Sequence, residues 1–347
     1  MTIINAAAIL FLATIGTAWG QAGKPASLAE LARYGGIDRG QILVEGAKKE
    51  GKVVWYTSLT AYKEIAKVFE AKYPGVRLEA YRAEPAELIK RAFTEAQARR
   101  YVVDVLEMTP PALMLSRDQQ LLMPYTSPSI ASYPEDSRED AAKGLVYWVT
   151  DRESFIGLGY NKNSLAARSV PGDFGDLLKP ELKDKLALAG TETGERMIGA
   201  MLKTRGEGFV RKLKEQGIKL HMISGGALHE LVVAGEVAIS PTIFRNHVLM
   251  AIEKGAPTAW VPMDLVVSNA GGVALAANAQ RPHAALLFLD FLLSPDGQKI
   301  FEEKFKFGSP VKDYGFKRWY PEKGLTTAQY EQASDRWRKL LMEIGRK

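Results

Sequence analysis

The sequence predicts an α/β fold organised as two lobes. Three observations carry that expectation. The chain has 347 residues, 46% hydrophobic and 25% charged, enough for about two domains with cores of their own. From about residue 41 onward, short apolar strands alternate with amphipathic helices, the pattern of a sheet covered by helices. No internal repeat or low-complexity segment interrupts that alternation.

The first twenty residues stand apart. "MTIINAAAILFLATIGTAWG" carries no charge. Its apolar centre, residues 3–15, has the length of a signal-peptide core and is short for a membrane span. Ala18 and Gly20 are small residues of the kind a signal peptidase reads, so export with cleavage near Gly20 is expected, although no Lys or Arg precedes the run.

A polar lead follows over residues 21–38. "GQILVEGAKKEG" then reads as a helix with Ile42, Leu43, Gly46 and Ala47 on one face and Gly51 as its stop. Residues 53–56 are continuously apolar, as in a buried parallel strand. A helix over 61–73 ends at Pro74-Gly75. "VRLEAYR" alternates as a strand, residues 85–100 form a helix, "YVVDVLEM" is a strand closing at Thr109-Pro110, and "PALMLSRDQQLL" is the next helix. "SFIGLGYNK" is a strand with glycines at its middle. "KLALAG" is a strand ending at "GTETGER", and "RMIGAMLKTRG" is helical. "ISGGALHELVVAGEVAISPT" gives loop, helix, turn and strand. "APTAWVPMDLVVSNAGGVALAA" holds two strands, and "RPHAALLFLDFLLSPDGQKIFEEKF" is two helices broken at Ser294-Pro295.

The strands end alike. Thr57, Ser58 and Thr60, then Thr109, then Thr191 and Thr193, then Ser224 with Gly225 are hydroxylic or glycine, and each group precedes a helix. Ligands of open α/β sheets bind beyond the carboxyl ends of the strands, where helix N-termini present unpaired N–H groups and partial positive charge. Hydroxyls there add donors without bulk. Any one of these residues is equally a natural helix cap; four such turns converging would make a cleft.

Composition narrows the chemistry. With no cysteine in the chain, thiolate metal sites, cysteine nucleophiles and disulfides are excluded. The net charge of +6 is scattered over helices rather than gathered on one face, so no nucleic-acid partner is expected; a mild positive field favours an anionic ligand. His221, His229, His247 and His283 form no metal spacing, and no serine nucleophile elbow is present. "GTETGER" lacks the Gly-Lys-Ser/Thr ending of a nucleotide loop. No catalytic residue, metal ligand or cofactor is expected.

Several segments together carry a family likeness: "KKEGKVVWYTSL", "IAKVFEAKYPGVRLEAYR", "VDVLEM", "GLGYNKN", "LVVAGEVAI", "EKGAPTAWV" and "RPHAALLFLDFLLSPDGQKIF". In this order, behind a signal segment, they resemble the extracellular solute-binding proteins of ABC importers, on the branch of the ferric-ion-binding proteins. The likeness covers about residues 41–310. It implies a type II periplasmic-binding-protein fold, with two Rossmann-like lobes joined by two crossover strands and a solute held in the cleft between them. It implies a periplasmic location, a small-molecule solute, a permease dimer as membrane partner, and a monomer. Mapped here, lobe 1 would comprise residues 41–149 and 266–347 and lobe 2 residues 151–262, with crossings near "FIGLGYN" and "VPMDLVV". Gly157 and Gly159 would serve as a hinge, or as sites of close strand packing.

Carried over position by position, the resemblance names Ser58, Thr60 and Thr109 in lobe 1 and Thr191, Thr193, Ser224, Arg245 and Asn246 in lobe 2 as solute contacts, with Tyr160, Tyr56 and Phe244 lining the apolar part. The best-known ferric binders use two adjacent tyrosines; no Tyr-Tyr pair occurs here, and the matching stretch reads "IFRNHVLMA". Arg245 is the sharpest replacement, because a guanidinium grips a carboxylate or phosphonate through two parallel bonds. Arg152 and Arg196 are auxiliary candidates, and Glu153 and Glu192 lie near enough in sequence to neutralise them. The expected function is capture of a small, anionic solute for an importer. The alternatives are a ferric-ion or ferric-complex binder without the tyrosine pair, a solute-sensing subunit for a membrane receptor, and an exported enzyme.

Overall fold

A computed structural model of the chain describes residue 25 and residues 27–345; the expected signal segment lies outside them. Among the described residues no helix is long and apolar enough to cross a membrane.

The chain opens with α1 (Leu28–Arg33), which falls in the stretch read as a polar lead. A capping box starts it: Glu30 N–H donates to Ser27 Oγ and Ser27 N–H to Glu30 Oε2. The elements then run α2 (Arg39–Glu50), β1 (Lys52–Thr57), α3 (Tyr62–Lys72), β2 (Arg77–Arg82), α4 (Pro85–Gln97), β3 (Val105–Met108), α5 (Pro110–Asp118), β4 (Leu122–Met123), β5 (Arg138–Asp140) and the long β6 (Val146–Asn161). Next come β7 (Ala187–Ala189), α6 (Glu192–Lys212), β8 (Lys219–His221), α7 (Gly225–Ala234), β9 (Ile239–Phe244), α8 (Arg245–Glu253) and β10 (Thr258–Val261). The chain returns through β11 (Val266–Ala276), α9 (Pro282–Leu293), α10 (Pro295–Phe305), β12 (Arg318–Trp319) and α11 (Thr327–Ile344).

The sheet explains the two lobes. In the first, β2, β1 and β3 are parallel neighbours, and β11 pairs antiparallel with β3 and β6. In the second, β6 runs on to pair antiparallel with β9 and β10. There β7 pairs with β8, and a bridge from Leu186 to Ile239 joins that pair to β9. Among the described strands, β6 pairs in both halves, and β11 lies against it where the two meet. Their mutual ladder runs from Ile156 opposite Val267 to Val149 opposite Val273.

The β6–β11 ladder hands over to the second-lobe sheet at Ile156, which stands opposite both Val267 and Phe244, within the stretches "FIGLGYN" and "VPMDLVV". Gly157 and Gly159 lie beyond it, within the second-lobe sheet, and neither has a positive φ. A Cβ on Gly157 would come within 2.4 Å of the Trp260 ring, and one on Gly159 within 2.6 Å of Ile243 Cβ. These glycines make room for packing.

Under the first-lobe sheet, Trp55, Phe69, Phe288 and Phe291 form an edge-to-face cluster with ring centroids 5.0–5.4 Å apart, an arrangement favoured by the ring quadrupoles. α9 supplies two of those rings and is buried almost all round, as a helix hydrophobic on every side must be. α11 has no counterpart in the sequence reading. It lies along α6 of the second lobe, with Arg338 and Ser334 bonded to Glu195, while Thr327 Oγ1 donates to Asp118 of first-lobe α5.

Candidate functional site

The carboxyl ends of β1 and β3 in the first lobe, and of β7, β8 and β9 in the second, lie toward the crossing: Thr57 is beside Glu107 on β3, and Phe244 sits opposite Ile156. Five helices follow these ends: α3, α5, α6, α7 and α8.

The first-lobe end is already occupied by a protein carboxylate. Glu107 is fully buried. Its Oε2 accepts from Thr57 Oγ1 at 2.5 Å and from the N–H groups of Ser58 and Leu59, each at 3.1 Å. Its Oε1 accepts from Arg152 Nη2 at 2.9 Å. Gly271 stands opposite Arg152, where a Cβ would come within 2.7 Å of Glu107 Oε1 and 2.8 Å of Arg152 Cζ. Glycine is what lets the ion pair close. The amide of Ser58 is therefore spent internally, which the sequence reading did not foresee. Ser58 is half-buried and Thr60 exposed. Thr109 is half-buried at the N-cap of α5 and makes no side-chain cap, and Pro110 and Pro111 follow it. Proline suits the first helical turn because the N–H it lacks would be unpaired there, but a ligand then has nothing to bond.

The second-lobe ends are open. Thr191 is the N-cap of α6 without capping it; its Oγ1 donates to the Ile223 carbonyl at 3.4 Å and so ties this turn to the next. Thr193, expected in a loop, sits in the first turn of α6, which begins at Glu192. Ser224 caps α7, its Oγ accepting from Ala227 N–H at 3.2 Å. The first two amides of α7 belong to Gly225 and Gly226. A Cβ on Gly225 would lie 2.9 Å from Thr193 Cγ2 and 3.1 Å from Phe244 Cε2, so Thr193, Gly225 and Phe244 meet at one point. Arg245 and Asn246 open α8. Asn246 is buried, and its Oδ1 has no protein partner among the described residues. Arg245 is half-buried with its guanidinium 5.2 Å from the Tyr314 ring centroid, and among the described residues its side chain makes no hydrogen bond or ion pair.

The other two arginines are neutralised within the protein. Arg152 belongs to Glu107 rather than to Glu153, whose buried carboxylate instead accepts from Ser268, Arg318 and Tyr320. Arg196 is 1% exposed. Its Nε and Nη2 donate to Glu192 Oε1 at 3.1 and 2.6 Å, and its Nη1 to Asn269 Oδ1 at 2.9 Å. The Arg196 charge holds the Glu192 carboxyl below its usual range. Glu322, close enough to feel the same charge, is buried with neither carboxylate oxygen partnered among the described residues, and burial pushes its pKa up. Tyr160 is not brought to this region. It pairs with Ile239 at the start of β9, the opposite end of that strand from Phe244, because β6 continues well past the crossing. Tyr56 is buried on β1, with its hydroxyl on Glu95.

Glu107 is the residue the sequence reading missed. Its signal was an acid inside the apolar run "VDVLEM" of a strand buried on both faces, where an unpaired carboxylate could not be tolerated.

The chain matches the family of bacterial extracellular solute-binding proteins over residues 102–328, and it belongs to that family. An uncharacterized protein of Haemophilus influenzae is 28% identical over 193 residues, a match spanning 52% of this chain and 55% of that protein. Among solved structures, iron-bound HitA from Pseudomonas aeruginosa is similar over 85% of this chain and 99% of its own, with a TM-score of 0.65 and 21% identity. The substrate-binding protein of an ABC transporter from Agrobacterium tumefaciens covers 85% and 96%, with a TM-score of 0.67 and 14% identity. AfuA from Actinobacillus pleuropneumoniae, with fructose-6-phosphate bound, covers 84% and 97%, with a TM-score of 0.59 and 22% identity. These neighbours give the chain the type II periplasmic-binding-protein fold, shared with ferric-ion-binding proteins.

Proposed function

We propose that the protein is the substrate-binding component of an ABC importer. It takes up a small solute bearing a carboxylate or phosphate group, without turning it over, and delivers it to a permease dimer. Export to the periplasm, loss of the leader near Gly20 and a monomeric state belong to the same reading. One observation carries it: among the described residues Arg245 has no carboxylate partner, and it opens α8 next to Phe244, which meets Thr193 of the uncapped α6 turn and Gly225 of the α7 turn. Helix N-termini and an unspent guanidinium favour the same ligand charge. HitA with iron and AfuA with a sugar phosphate mark two chemistries carried by this fold. Phe244-Arg245-Asn246 in this chain fits the anionic one.

In this reading, solute lands on the second-lobe turns through its anionic group. The first lobe closes on it with the hydroxyls of Ser58, Thr60 and Thr109 and without amide donors from Ser58 and Leu59. Closure is driven only by the extra affinity of the closed form. A thermal-shift screen of carboxylates, phosphonates, sugar phosphates and ferric complexes identifies the solute class, since a tight ligand raises the melting temperature by mass action. Arg245→Ala should then weaken the best hit about 10- to 100-fold, the worth of one charge-assisted bond. Binding as tight as wild type would overturn the proposal.

A further inference from the structure

We infer that Arg152 and Arg196 are positioning residues: each ties a cleft-facing turn of one lobe to one of the two crossing strands, and together they couple cleft occupancy to the hinge. The inference rests on the anion-binding reading of the second lobe only for its affinity consequence.

The two connections mirror each other. In the first lobe, Ser58, Leu59 and Thr57 converge on Glu107, and Glu107 is held by Arg152, which sits on crossing strand β6. In the second, the first turn of α6 supplies Glu192 to Arg196, and Arg196 reaches Asn269 on crossing strand β11. The anchors are neighbours. Arg152 stands opposite Gly271, and Asn269 stands opposite Ser154. Directly opposed residues of an antiparallel pair share a face, as do residues two apart on one strand. Both connections therefore land on the same face of the β6–β11 ladder, two residues apart.

Neither guanidinium is free for solute, since Arg152 is 8% and Arg196 1% exposed and both are bonded internally. Their effect on binding must act through the turns they hold. The donor geometry shows why arginine is required. Arg196 spans two acceptors on different elements through its planar fork, which the single ammonium of lysine cannot do in the same directions. Any rotation of the lobes about β6 and β11 then carries both turns rigidly with the strands, and a solute that fixes the turns restrains the strands.

Arg196→Lys keeps a cation beside Glu192 and Glu322 and loses the bridge to Asn269; Asn269→Ala loses the acceptor alone. Glu107→Gln tests the first lobe while keeping an acceptor oxygen for the turn. Hydrogen exchange on the solute-free protein is the first readout. Expected is faster exchange at residues 191–195 together with 267–271 in both second-lobe variants. In Glu107→Gln, faster exchange is expected at 57–59 together with 151–153. Faster exchange confined to one side of a connection, or none, overturns the inference. The double variant Arg196→Lys/Asn269→Ala should exchange no faster than the worse single variant; additive acceleration also overturns it. Titration with inorganic phosphate is the second readout, with affinity expected to fall about tenfold in Arg196→Lys, a usual size for coupling between sites. An unchanged Kd beside accelerated exchange overturns the coupling. Failure of phosphate and of every screened anion to bind the wild type would count against the proposed function, and the exchange data would still decide the connections.

Discussion

The two lobes offer the same element to the cleft, a strand end feeding a helix, and leave different numbers of its donors unspent. In the first lobe the amides of Ser58 and Leu59 are consumed by Glu107, and of the helices that follow β1, β2 and β3 two, α4 and α5, begin with Pro85 and with Pro110-Pro111, which have no N–H to give, while α3 begins at Tyr62 with N–H groups of its own. In the second lobe α6, α7 and α8 begin with Glu192-Thr193, Gly225-Gly226 and Arg245-Asn246, all carrying N–H groups. A helix start attracts an anion only while its donors are unspent. By that criterion one lobe is built to capture and the other to close.

The largest expected effect tests the first-lobe half of this contrast. Arg152→Met leaves Glu107 buried without its cation, and breaking a buried pair from one side costs about 3–5 kcal/mol. Urea unfolding should register the loss. Arg245→Met breaks no ion pair, forfeits only its contact with Tyr314, and should cost about 1 kcal/mol or less. Equal losses in the two variants would erase the distinction between a spent and an unspent arginine.

Next in size is a backbone test of the second lobe. A Cβ on Gly194 would lie 1.9 Å from the Ala189 carbonyl oxygen, a main-chain atom that cannot swing aside. Gly194→Ala should destabilise by about 1–3 kcal/mol, as overpacking does, and weaken solute binding because the strain falls in the first turn of α6. Thr60→Ala at the exposed first-lobe turn should stay within about 0.5 kcal/mol of wild type in stability. Calorimetric titration beside thermal unfolding separates the two outcomes.

Much of this fold was legible because its helices and strands follow their hydrophobic periods. Ile42, Leu43 and Ala47 are buried on one face of α2, and Gly51 stops it in the left-handed region with φ 75°. Ser294 caps α10 at the break that the sequence shows. At Gly157 and Gly159 the sequence leaves a hinge and close packing equally open, and only the partners Trp260 and Ile243 decide for packing. α11 was missed although Thr326 and Gln329 form a capping box at its start. The candidate site was legible as positions along the chain, since hydroxyls and glycines mark strand ends. It was not legible as chemistry. Whether Arg152 or Arg196 is spent depends on Glu107 for the first and on Glu192 and Asn269 for the second, which lie 45, 4 and 73 residues away. Only the i,i+4 pair of Arg196 with Glu192 was open to reading along the chain.

The smallest effects concern pH, and they too should differ in sign between the second lobe and the crossing. His229 and His247, on adjacent helices α7 and α8, are both shifted below the usual histidine range by burial. The unfolded chain takes up their protons first, so stability is lost as pH falls below about 6.5. Asp151 is the residue skipped by the β6–β11 ladder. It is fully buried, neither carboxylate oxygen has a partner among the described residues, and burial with the Glu107 charge raises its pKa well above the usual range. The folded protein keeps that proton after the unfolded chain has lost it, so stability is lost as pH rises from about 4. His229→Gln should flatten the acid arm of a stability–pH curve measured by urea unfolding, and Asp151→Asn the rising-pH arm. Each pH unit of flattened slope is worth up to about 1.4 kcal/mol. If Asp151→Asn left the rising-pH arm unchanged, Asp151 would be ionised in the fold and the crossing would hold an unbalanced charge. The rigid anchoring assigned to Arg152 would then have to be reconsidered together with the proton on its neighbour.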